Sequence, residues 1–183
     1  MKRRIVFDPG AVLLLGLLLF ALSLQEIVAL LLSACVHELG HVAAMLSLGV
    51  PIYGVRFAVS GPVIRCGAVS SRMQQFFCAL AGPALGVLLA GVIFPFWPLC
   101  AEVSLLLSLM NLLPVSPLDG GRALSSLTAG KREEILARTS FLIPVGVMAA
   151  GLWLFAQGLG LGLLVFGAWL LILTCQGTEN EVK

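Results

Sequence analysis

The chain of 183 residues holds two histidines, and they stand four apart in His37-Glu38-Leu39-Gly40-His41. Four residues of α-helix make about one turn, a rise of about 6 Å, so both imidazoles share a face. This spacing suits two nitrogen ligands on one zinc ion, with the intervening glutamate as base. Two histidines scattered at random in such a chain fall four apart about once in 100; a Glu just after the first lowers the odds to about 4 in 10,000. The motif lies in an apolar stretch, where a central charge costs ~2.5–3.5 kcal/mol or more. Three ionisable groups in five residues need a compensating partner there, and a bound cation is one.

Catalytic zinc usually takes three protein ligands and a water. With no third histidine, the candidates are carboxylates. Asp8 falls at a membrane edge, Glu26 and Glu102 at the opposite face, and Glu133 and Glu134 in a polar segment. Asp119 is left, in Asn111-Leu-Leu-Pro-Val-Ser-Pro-Leu-Asp-Gly-Gly-Arg122. Pro114 and Pro117 withhold N–H groups from a helix ladder and bend it. Gly120-Gly121 is expected to let the backbone turn and aim the carboxylate inward. The expected site is His37, His41 and Asp119 on one Zn²⁺ per chain, with Glu38 passing a proton from water to the leaving amine.

The elements that must carry these residues follow from composition. The chain is 60% hydrophobic and 11% charged, against about 45–50% and about 25% for soluble domains. Its mean hydropathy is +1.08. These values exclude a soluble enzyme, a disordered chain and a coiled coil. They leave an all-α membrane protein with a single domain over 1–183. A net charge of +2 without a basic run argues against nucleic acid as a partner.

Six spans are expected: Phe7–Leu24, Leu24–Leu48, Met73–Pro98, Ala101–Pro117, and two within Phe141–Leu173, divided at Gln157-Gly158-Leu159-Gly160. Ser23 and Glu26 have the form of a capping box that starts the second helix, and Gly49 and Pro51 stop it. The polar segment Asp119–Thr139 reads as a short surface helix. Met1-Lys2-Arg3-Arg4 resembles the start of a signal peptide, and Ala21-Leu22-Ser23 resembles a cleavage site. The second span follows at once, which favours an uncleaved first span. With the N-terminus in the cytosol, segments 1–6, 49–72, 118–139 and 175–183 hold three, three, four and one Lys/Arg, all 11 in the chain. That matches the positive-inside rule, with both termini cytosolic and the site nearer the cytosolic side.

Residues 50–70 are rich in Val, Ile, Phe and Tyr, with Ser60-Gly61-Pro62 in the middle, and read as a short β-hairpin or re-entrant loop. The five cysteines form no C-x-x-C pair and imply no disulfide framework.

H-E-x-x-H in one membrane helix and N-x-x-P with P-L-D-G-G-R after a later one resemble the site-2 protease family of intramembrane zinc metalloproteases. The closer likeness is to the short six-helix bacterial branch, which includes a protease that processes a membrane-associated sigma-factor precursor. The resemblance covers about residues 30–125, a catalytic core followed by two generic spans at about 140–174. Ala81-Gly82-Pro83 resembles a family segment too, but Gly86 stands where the family commonly has Asn. Gly82-x-x-x-Gly86 is equally a helix-packing motif. The resemblance implies a multi-pass protein of the bacterial inner membrane that cuts membrane-embedded protein substrates in or near the bilayer, a regulated proteolysis that often frees a transcription regulator. It implies a substrate-backbone contact for Asn111, which by residue type alone could equally join two helices. An extended substrate could pair with a strand edge in 52–68. An inhibitory membrane partner is left open. The chain ends soon after its sixth span, with no expectation of a nucleotide-sensing domain or PDZ insert. The rival reading is a metal-binding or metal-transport membrane protein. Such transporters usually show internal repeats and polar residues on several spans, and neither is evident.

Overall fold

The computed structural model describes residues 4–58, 61–67, 71–127, 133–158 and 162–181. Its elements are β1 (Arg4–Phe7), α1 (Pro9–Ala21), α2 (Leu24–Ser47), β2 (Ile52–Ala58), β3 (Gly61–Cys66), α3 (Arg72–Ile93), α4 (Pro98–Asn111), α5 (Asp119–Leu127), α6 (Glu133–Ala156) and α7 (Gly162–Glu181). The chain falls into two compact units, Met1–Asn111 and Leu112–Lys183.

In the first unit α2, α3 and α4 pack against one another. The expected capping box starts α2: Ser23 Oγ accepts from the Glu26 N–H, and Glu26 Oε2 accepts from the Ser23 N–H at 2.8 Å. Gly49, at φ +70°, ends the helix. The Val50 N–H reaches the Met45 carbonyl at 2.8 Å and the Gly49 N–H reaches Leu46 at 3.2 Å. That is the paired bonding of a Schellman cap, and its apolar contact is present in the Met45–Val50–Cys78 cluster. A second capping box, Ser71 with Gln74, opens α3.

The 50–70 segment is a hairpin, with β2 antiparallel to β3. Ile52, Ile64 and Cys66 pack against the Met45–Val50–Cys78 cluster. A third strand was not anticipated. Residues assigned to the basic leader and the start of the first span form β1, parallel to β2, in the order β1-β2-β3. Parallel strands need a long crossover, and α1 with α2 supplies it. Arg56 holds the junction, bonding both Asp8 oxygens at 3.0 Å. The Asp8 hydrogen bond and charge raise the Arg56 pKa above its ordinary value.

Three described helices are long and apolar enough to cross a membrane: Leu24–Ser47, Arg72–Ile93 and Arg138–Ala156. Pro98–Asn111 and Gly162–Ile172 are apolar but shorter. The 13 residues of α1 rise only ~20 Å, short of a ~30 Å hydrocarbon core. Among the described residues, length and composition alone support three crossings, and the expected count of six is not confirmed. The fourth expected span also stops early, at Asn111 and not Pro117, because Pro114 and Pro117 follow so closely.

In the second unit α6 and α7 form a close pair. Cβ atoms at Gly151 and Gly167 would overlap the facing backbones of Leu164 and Met148, so glycine permits direct contact. Asp119–Thr139 is not one surface helix. It gives α5, whose buried face includes Gly120, Gly121, Ala123 and Ser126, and the start of α6 at Glu133. Residues 128–132 lie outside the described set.

Candidate metal centre

His37 and His41 lie on the buried face of α2, at 4% and 5% exposure. Their Nε2 atoms are 3.2 Å apart and the rings meet edge to face at 74°. Two nitrogens bound to one tetrahedral zinc at ~2.0–2.1 Å would stand ~3.3 Å apart. The pair therefore has the spacing of two ligands to a single ion.

The orientation of His41 comes from α3. Its Nδ1 lies 2.7 Å from the Cys78 carbonyl oxygen. A carbonyl only accepts, so Nδ1–H donates, and in the neutral ring Nε2 keeps the lone pair a metal needs. Pro83, inside α3, removes the N–H that would bond the Ala79 carbonyl, next to Cys78, and a proline there kinks a helix. Gly82 completes the fit: a Cβ there would overlap the His41 ring. Gly40 plays the reciprocal part, since a Cβ on it would overlap the Ala81 carbonyl. The two helices thus touch backbone to backbone at the level of the histidines. Gly86 similarly gives its space to the Ser108 hydroxyl of α4, which supports the packing reading of Gly82-x-x-x-Gly86.

Glu38 follows His37 and is half-buried. Asn111 closes α4, and its Nδ2 donates to the Leu107 carbonyl one turn back at 3.0 Å. This bond lies within its own helix.

Asp119 belongs to the second unit, where it is 6% exposed and opens α5. Arg122 Nη1 lies 3.5 Å from its Oδ1. The expected free turn at Gly120-Gly121 is corrected here. Both are helical residues, and neither has a positive φ. Their lack of side chains serves packing: a Cβ on Gly120 would overlap the Leu112 and Leu113 carbonyls, and one on Gly121 the Val115–Ser116 backbone. The first turn of α5 is pressed against the segment that precedes it.

Sequence reasoning missed the Cys78 carbonyl and that the space left at Gly82 is taken by the His41 ring. A backbone acceptor leaves no mark in residue type. The available signal was a Gly-Pro pair inside an apolar helix.

Comparison with known proteins places these features. Residues 91–155 match the model of peptidase family M50, a stretch that includes Asn111 and Asp119. The chain is 31% identical over 183 aligned residues to a Mycobacterium tuberculosis protein named zinc metalloprotease Rip3, covering 85% of this chain and 46% of that one. It is 35% identical over 117 residues to the Synechocystis protein named zinc metalloprotease sll0528, covering 55% and 31%. The chain thus spans less than half the length of these two relatives. A solved structure of a site-2 protease from Methanocaldococcus jannaschii shares the fold, with a TM-score of 0.69 and 21% identity over 96% of this chain and 91% of that one.

Proposed function

From a chain that carries a peptidase family M50 domain, that of the site-2 proteases, we infer an intramembrane zinc metalloendopeptidase. The observation that carries this reading is the His37–His41 pair, with Nε2 atoms 3.2 Å apart and His41 held from behind by the Cys78 carbonyl. The donor set of two imidazoles and a carboxylate suits zinc with one position open. His37, His41 and Asp119 would hold it. Zinc so bound polarises a carbonyl and brings the pKa of a water toward neutrality.

The chain's own residues do the rest. Glu38 accepts the proton of the attacking water and delivers it to the amine nitrogen as the peptide bond breaks. The Cys78 carbonyl keeps the His41 tautomer fixed throughout. Asn111 offers its carboxamide to an unwound substrate backbone. Substrate must be extended here, because helical carbonyls are committed to their own ladder. The substrates are membrane segments of other proteins, and their cleavage is a regulated step that releases a transcription regulator. The enzyme is multi-pass in a bacterial inner membrane, with cytosolic termini and the site toward the cytosolic face.

The test is zinc content of the detergent-purified chain, with His41→Ala and Glu38→Gln alongside. One zinc per chain is expected, lost in His41→Ala and kept in Glu38→Gln. Glu38→Gln should lower peptide cleavage by about 10²–10⁴-fold, the range of a general base. Bound zinc with no peptide cleavage by the wild-type chain would overturn the reading and leave a metal-binding or metal-moving protein, and cleavage retained in Glu38→Gln would remove Glu38 as the base.

A further inference from the structure

The segment that delivers Asp119 has a tether of its own. Residues 112–118 form no helix or strand. The Val115 N–H bonds the Leu113 carbonyl at 2.8 Å, and the Leu118 N–H bonds Val115 at 2.8 Å. The Ser116 N–H between them bonds Ser140 Oγ of α6 at 3.0 Å. Ser140 is 4% exposed. Its own carbonyl accepts from Thr174 Oγ1 of α7 at 3.2 Å. Val115 and Leu118 join Leu170 in one buried cluster, with Ile143, Phe166 and Trp169 packed against it. The same Val115–Ser116 backbone is what Gly121 touches.

We propose that the α6–α7 pair is the template for the third metal ligand, with Ser140 as a positioning residue for Asp119. The proposal rests on the reading of Asp119 as a ligand. Asp119 is the residue after Leu118, so displacement of 116–118 is passed on without slack. Without the Ser140 hydroxyl, the Ser116 N–H lacks its acceptor, and an unmet donor is costly enough to move a short segment. The two C-terminal helices, generic as sequence, thereby gain a part in metal binding.

The test is zinc affinity of the full detergent-solubilised chain, read by competition with a chromogenic chelator. The expected loss in Ser140→Ala is about tenfold, the low end for groups that orient a ligand. Ser140→Thr, which keeps the hydroxyl, should restore affinity. Thr174→Val removes a bond between α6 and α7 but leaves the Ser116 tether, and should hold wild-type affinity. Equal losses in Ser140→Ala and Thr174→Val, or no rescue by threonine, would overturn positioning in favour of general packing. Wild-type affinity in Ser140→Ala, with zinc lost in His41→Ala, would also overturn it. Zinc retained in His41→Ala would instead overturn the metal centre itself. Should Ser140→Ala fail to fold, Ser140→Cys, near in size and a far weaker acceptor, carries the same readout. Weakened zinc there with Thr174→Val at wild-type affinity supports the template, and unchanged zinc overturns it.

Discussion

The histidines and the aspartate are held in contrasting ways. His37 and His41 sit in the middle of a 24-residue helix whose cap, face and end are all regular. Their precision comes from absence: Gly40 and Gly82 carry no side chain, so α3 closes on α2 until its backbone meets the imidazole. Asp119 follows seven residues without helix or strand and opens a nine-residue helix. Its precision comes from attachment: a side-chain tether from Ser140 and the Val115–Leu118–Leu170 cluster. A ligand pair on one helix needs only its spacing to be coherent. A ligand on an irregular segment needs contacts from residues far along the chain.

The strongest way to break this contrast is to remove the ligands. His37→Ala and Asp119→Asn should each abolish cleavage, and each should weaken zinc by more than the about 100-fold upper range for an outer partner. Asp119→Asn keeps the shape of the side chain and loses its charge, so the segment should still dock and the melting temperature of the metal-free protein should barely move. Chelator competition and a melting curve on the same samples measure both. Zinc affinity unchanged in Asp119→Asn would remove Asp119 from the ligand set and leave the histidines as the whole protein contribution.

Much of the histidine half was legible because its signals are local. Ser23 with Glu26, His37 with His41, and Gly49 each act within a turn, and each took its expected place. The hairpin at 52–66 was legible for the same reason. What escaped depends on partners distant in sequence. The β1 strand reads as a basic leader until β2 pairs with it, about 50 residues later. Gly120-Gly121 reads as a turn until the Leu112–Ser116 backbone is seen against it. Glycine marks both a bend and a close contact, and residue type does not separate them.

The glycines give a sharper comparison, with smaller effects. Gly82→Ala places a methyl against the His41 ring and should weaken zinc by about 10–100-fold, as loss of an orienting contact does. Gly120→Ala places one against the Leu112 and Leu113 carbonyls and should cost about 1–3 kcal/mol of stability, as overpacking does. Its effect on zinc should be the smaller, because its methyl meets the Leu112 and Leu113 carbonyls, ahead of the Ser116 tether, whereas the Gly82 methyl meets a ligand ring. Equal zinc losses in the two variants would erase the distinction between a ligand fixed by helix contact and one fixed by a tether.

The smallest expected effect tests which face of α2 does the work. Ser33, His37, Gly40 and His41 are buried, whereas Cys35 and Leu39 are exposed. Cys35 is two residues before His37, about 200° round the helix. A thiol two residues from an imidazole looks like a fourth ligand in a one-dimensional reading, and thiolate is a good zinc ligand. The helix turns it away from the face that carries both histidines. Cys35→Ser should therefore leave zinc stoichiometry, chelator competition and cleavage at wild-type values. Loss of bound zinc in that variant would mean that the buried face of α2 is not the ligand face, and the packing of Gly82 on His41 would lose its role in holding the metal.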